Sequence, residues 1–225
     1  MKIFVFAPHA LIWQHAFPEA LLIESLKQAG NDIIYFGCNS ALSNYCIPMV
    51  SSYISYDADK KKKDEICKKC KHNSSIIKKN FKFDGPNIDD YIDNDSRRNI
   101  EAYLEKVTRS NYMLFSLDGI KLGEIALYEL SLRHKLSKVK TLNKKIWPEY
   151  LASLESVLKT FFALKEVFKS DKPERILAYN GLYSVNSVCR EIAKKENIPF
   201  YYLHAGLDQR NRLQSLIFAK DHTFE

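Results

Sequence analysis

The sequence predicts an α/β fold, a parallel sheet with helices on both faces. Two observations carry this. Near each end the chain runs strand, turn, helix, strand within about 36 residues, the length of a βαβ unit. The strand segments are also short, nearly unbroken apolar runs of the kind found in strands covered on both sides.

The elements follow in order. Residues 2–8 (KIFVFAP) form a first strand ending at Pro8. A loop from His9 to Phe17 leads to Pro18, which suits the first position of a helix. Leu22, Ile23, Leu26 and Ala29 recur at helical spacing, and Gly30 ends the helix. Asp32 to Phe36 (DIIYF) is the second strand. Residues 38–95 lack clear periodicity and read as a Cys/Lys-rich insertion on this framework. Residues 98–115 and 120–145 read as helical, joined by an Asp118-Gly119 turn. Trp147-Pro148 opens a long helix whose apolar face runs from Leu151 through Leu154, Leu158 and Phe161 to Phe168. Glu174 to Tyr179 is a strand and Asn180-Gly181 a turn. Ser184 is an N-cap, and Val185, Val188, Cys189 and Ile192 mark one helix face. Phe200 to Leu203 then forms a strand ending in His204-Ala205-Gly206.

Composition narrows the class. The chain has 225 residues, 46% of them hydrophobic, enough core for one large domain or two small ones. With 27% charged residues, 7 Gly and 7 Pro, neither a disordered nor a collagen-like chain fits. No apolar stretch approaches the roughly 18–20 residues of a membrane span. The N-terminal run reads as a strand rather than a signal peptide, because it lacks a small-residue cleavage site. Five Cys, an odd number, without an export signal point to a reducing, cytoplasmic setting.

Charge is concentrated. Lys60 to Lys82 holds ten Lys against Asp64 and Glu65, a net of +8. That leaves −1 for the remainder of a chain whose total is +7. Such a run is ordinarily a solvated loop. Its functional reading is attraction to phosphates or to an anionic membrane surface, worth about 1 kcal/mol per Lys. Nucleic acid is the weaker reading, because few aromatic residues interleave with the lysines.

Open α/β sheets bind ligands at the carboxyl ends of their strands. Three such ends are expected on one edge: Pro8-His9 with the loop to His15, Asn180-Gly181, and His204-Ala205-Gly206. A loop histidine suits a general base, because it titrates near neutral pH. Asn180 can donate and accept, and the glycines admit a ligand close to the backbone. The alternative is that all of these are plain turn residues. Cys38, Cys46, Cys67 and Cys70 have the spacing C-x7-C, C-x20-C, C-x2-C. Four such thiols can make a closed tetrahedral site for structural zinc, with His72 as a reserve ligand. The alternative is four unrelated reduced thiols. Cys189 is expected in the core.

The opening strand with its His-bearing loop, the Cys pairs, the Asp118 to Gly123 element and the SDKPERILAYNGLYSVNSVCREIAKKENIPFYYLHAG segment carry a resemblance. In that order they resemble the N-terminal, acceptor-side half of bacterial surface-polysaccharide glycosyltransferases of the GT-B type, which build capsule or lipopolysaccharide. The resemblance implies one Rossmann-like domain over residues 1–225, with the C-terminal donor domain absent and the chain inactive alone. It implies a catalytic base at His15 or His9. It implies acceptor contacts at Asn180, Gly181, His204, Gly206 and Asp118. The nucleotide-sugar donor would sit mainly on the missing domain, and the partner would be a glycan or lipid-linked acceptor. Two other classes stay open: a non-catalytic, metal-stabilised carbohydrate- or lipid-binding module, and a nucleic-acid binder acting through Lys60 to Lys82. Ala7-Pro8-His9 also opens like the zinc-dependent sugar deacetylases. Ala10-Leu11-Ile12 stands where those carry metal-binding carboxylates, which excludes them.

Overall fold

Alternation along the first strand sets the layers. The computed structural model describes residues 1–136, 142–206 and 215–220. In β1 (Lys2–Phe6), Ile3 and Val5 join one buried cluster while Phe4 and Phe6 join another. Successive side chains of a strand point to opposite faces, so both faces of the sheet are covered. The other strands are β2 (Asp32–Phe36), β3 (Arg175–Tyr179), β4 (Phe200–Ala205) and β5 (Leu216–Lys220). Their order is β2-β1-β3-β4-β5. The first four are parallel, and β5 runs antiparallel along β4. This is a Rossmann-like arrangement with an added antiparallel edge strand.

One face carries α1 (Trp13–Gln28), whose Ala16, Ala20 and Ile23 pack on Val5, Leu177 and Leu203. The short helix α2 (Ile47–Ser51) follows. Next comes α3 (Lys60–Phe81), which contributes Ile77 to the same face as α1. The other face carries α4 (Asn94–Lys106), α5 (Leu122–Ile125), α6 (Tyr128–His134), α7 (Trp147–Ser170) and α8 (Ser184–Lys195). Here α7 is the main support, with Leu154, Val157, Leu158, Phe161 and Leu164 all buried.

Several expectations are corrected. Helix α1 starts at Trp13, so Pro18 lies inside it rather than at its first position. There it removes the N–H that would meet the Gln14 carbonyl, and its ring crowds that carbonyl. Residues 38–95 hold more regular structure than their weak periodicity suggested. Asp59 caps α3 by accepting the Lys62 N–H at 2.9 Å, so the Lys60–Lys63 run opens a helix rather than a loop. The chain after α3 then runs beside β2. Tyr35 N–H donates to the Asp84 carbonyl at 2.8 Å, and Gly37 pairs with Asn87. Residues 98–115 and 120–145 break into α4, a 3-10 turn at Tyr112–Leu114, α5 and α6, with 137–141 outside the described residues. Tyr183, not Ser184, holds the N-cap position of α8.

Candidate functional site

The loop after β1 delivers His9 and the start of α1 delivers His15. The end of β3 delivers Tyr179 and Asn180, and the end of β4 delivers His204. All four segments meet at the carboxyl rim of the sheet. The His15 ring stacks on Tyr179 with centroids 4.1 Å apart, and Tyr179 in turn lies against His204 at 6.5 Å. Tyr183 approaches His15 at 6.3 Å and meets the His9 ring edge-on at 5.7 Å. The result is a row of three flat rings, His15, Tyr179 and His204, with His9 behind it.

His9 is buried and its protonation is set by its neighbour. Asn186 donates its side-chain N–H groups to the carbonyls of Tyr179 (2.7 Å) and Asn180 (2.9 Å). Its oxygen therefore faces His9 Nε2 at 3.1 Å and must accept. His9 is thus the Nε2–H tautomer. Burial pushes its pKa down to about 3, the Asn186 bond opposes this, and the nearby His15 adds to it. A group so hard to protonate is a poor general base, which leaves the half-buried His15 as the candidate.

Below the rings, His9, His15, Glu19, Tyr35 and Phe6 border a cavity of about 10 Å³, room for a single water molecule. His9 Nδ1, Glu19 Oε1 and the Tyr35 hydroxyl have no hydrogen-bond partner among the described residues. Burial raises the Glu19 carboxyl to about 8, against the pull of a hydrogen bond from the Tyr179 backbone. It is therefore largely protonated at neutral pH. Glu19, Tyr179, Tyr183 and Asn186 were not singled out from the sequence. The signal for Glu19 was present: it falls on the Ala16–Ala20–Ile23 stripe once α1 begins at Trp13.

Other expected contacts change character. Asn180 is buried with φ +60, and its Oδ1 accepts the Leu182 N–H at 2.9 Å. That oxygen shapes the turn. At Gly181 a Cβ would sit 3.1 Å from the Phe200 ring, so the glycine serves helix–strand packing. Gly206 is explained by β5: a Cβ there would lie 1.9 Å from Ser215 Oγ. His204 Nδ1 donates to the Ala205 carbonyl at 2.8 Å. Asp118 does not join the rim. It pairs with Lys165 at 2.8 Å, and its carbonyl accepts from Lys195 at the end of α8. The end of α8 leads into the start of β4, so Asp118 lies toward the amino ends of the strands.

Cys38, Cys46, Cys67 and Cys70 border one cavity of about 190 Å³. The first pair belongs to the segment after β2 and the second to α3, so they occupy different walls. None is in a disulfide. Among the described residues no group of three or more His, Cys, Asp or Glu is arranged to hold a metal ion. The four thiols that the spacing grouped for zinc thus share one cavity without forming such a group. Cys189 is buried in the core beside Val185 and Val188.

No family model matches the chain, and neither the curated proteins nor the solved structures give a match. Among the described residues no helix is long and apolar enough to cross a membrane.

Proposed function

We propose that this chain is the acceptor-side domain of a glycosyltransferase. It would act in the cytoplasm or at the inner membrane face, on a growing surface glycan of the capsule or lipopolysaccharide kind. One observation supports this above the others: His15 stands half-exposed on the carboxyl rim, held flat against Tyr179, with a neutral His9 and a protonated Glu19 behind it. In this reading His15 takes the proton from an acceptor hydroxyl. The acceptor oxygen bonds to the sugar's anomeric carbon as the bond from that carbon to the donor's diphosphate breaks. The nucleoside diphosphate leaves, and the proton passes from His15 to water. The nucleotide-sugar donor is held by a second domain.

The test is turnover of the chain together with its donor-holding domain, read as nucleoside diphosphate released from a nucleotide sugar. His15→Ala lowers the rate at least about a hundredfold, the usual size of a general-base contribution. An unchanged rate removes His15 from the chemistry. A second reading is a non-catalytic carbohydrate- or lipid-binding module. Glycan binding with no His15-dependent release would favour that module.

A further inference from the structure

The thiol-bordered cavity lies beside the rim, and its construction is specific. On α3, Cys67, Cys70, Lys71, Ser74 and Lys78 fall at i, i+3, i+4, i+7 and i+11 and line it as one stripe. Of the helix's two buried isoleucines, Ile77 packs on the sheet and Ile66 joins the stripe at the cavity. That stripe borders an open space. Facing it are Cys38, Asn39 and Ser40 at the carboxyl end of β2, with Ala7, Pro8 and Ala10 from the loop that leads to His15. Asn39 and Ser40 are consecutive residues in the left-handed region, at φ +49 and +72. Conformations of this kind persist where surrounding structure requires them, often at ligand clamps.

The charge balance points to an anion. Among the described residues two lysines and no carboxylate border the cavity. The thiols do not offset the lysines, because burial holds all four in the neutral form and pushes Cys38 up to about 12. Lys71 is exposed, and the lysine salt bridges among the described residues involve other lysines. Lys78 is half-buried and donates to the Gly85 carbonyl at 2.7 Å, leaving two of its N–H bonds for another acceptor. Asp84 and Asp90 lie near enough to act on Lys78 but do not border the cavity.

We propose that this cavity binds a phosphate ester, with the phosphate on Lys71, Lys78 and the adjacent serine and asparagine groups, and the organic part over the cysteines and alanines. Its size suits a phosphate with a small attached group rather than a whole nucleotide sugar; pockets for larger ligands usually run to about 300 Å³ or more. The same chemistry is offered by a soluble sugar phosphate and by a prenyl phosphate lipid. This is a statement about binding and stands apart from glycosyl transfer, since phosphate binding and His15-dependent turnover are read in separate assays.

Calorimetric titration of the whole chain with inorganic phosphate, glucose 1-phosphate and geranyl phosphate tests it. At least one ester binds tenfold or more tightly than inorganic phosphate. Geranyl phosphate as the tighter ester identifies a lipid source, and glucose 1-phosphate a soluble one. Lys71→Glu, on an exposed side chain and checked for folding by circular dichroism, weakens binding of that ester at least tenfold. The bound ester also slows alkylation of Cys67 and Cys70 by N-ethylmaleimide in the unmodified protein. Failure of both esters to bind at about 10 mM, equal binding by Lys71→Glu, or unchanged alkylation rates overturns the proposal.

Discussion

Glu19 sits among alanines on the buried side of α1, where an ionised carboxylate would be costly, and its acidity responds accordingly. In the unfolded chain it ionises near 4.5, but in the fold only near 8. Between those values the unfolded state has lost the proton and the folded state has kept it. Stability therefore falls as pH rises through this window and levels off above it. His9 works on the acid side. Its folded pKa of about 3 lies below the ordinary 6.5, so stability falls as pH drops from 6.5 toward 3. Replacing Glu19 with Gln removes the first effect. At pH 4 the variant and the parent unfold at nearly the same urea concentration. At pH 8 the variant is more stable by a few kcal/mol, because each tenfold difference in acidity between fold and unfolded chain is worth about 1.4 kcal/mol. A gap of equal size at both pH values contradicts this assignment. His9 and His15 were visible in the sequence as loop histidines. That His9 is buried against Asn186 while His15 is half-buried was not, because tertiary packing decides it.

At the scale of elements, local chemistry placed some boundaries and tertiary contacts moved others. Helix α7 was legible because its apolar residues recur over about five turns and Trp147-Pro148 marks its start. The β1–α1–β2 and β3–α8–β4 units were legible for the same reason. Helix α3 was not, because ten lysines across residues 60–82 mask a periodicity carried by Ile66 and Ile77 alone. Its start depends on Asp59. Asp59→Ala leaves the first-turn N–H groups without a side-chain partner and costs about 1 kcal/mol, seen as a lower thermal midpoint. Asp59→Asn keeps an acceptor and most of the stability. Equal midpoints for the parent and Asp59→Ala would mean that α3 is held by packing on the sheet and not by its cap. Strand β5 also escaped notice. LIFAK is short, it alternates exposed and half-buried residues at the edge of the sheet, and its pairing with β4 is antiparallel.

For the whole molecule, the larger cluster on the α7 face joins sheet residues such as Phe4, Phe36 and Ile176 to helices α4 through α8. Leu158 is fully buried within it. Leu158→Ala removes three carbons from a packed site and destabilises the protein by about 2–5 kcal/mol. Urea unfolding reads this as a lower midpoint with an unchanged slope. A loss well below that range would show the helices of this face packing loosely on the sheet. The sequence by itself determined the parallel βαβ character, the two-sided burial and the strand ends that bear His9, Asn180 and His204, because apolar period and turn chemistry are local properties. Only the tertiary structure decided that β1 lies between β2 and β3, and that His15, Tyr179 and His204 form one row of rings. It also decided that four cysteines and two lysines border one cavity while Asp118 lies elsewhere. Those facts depend on which strand lies beside which, and strand neighbours are chosen by contacts between residues up to about 170 positions apart, which no local pattern records.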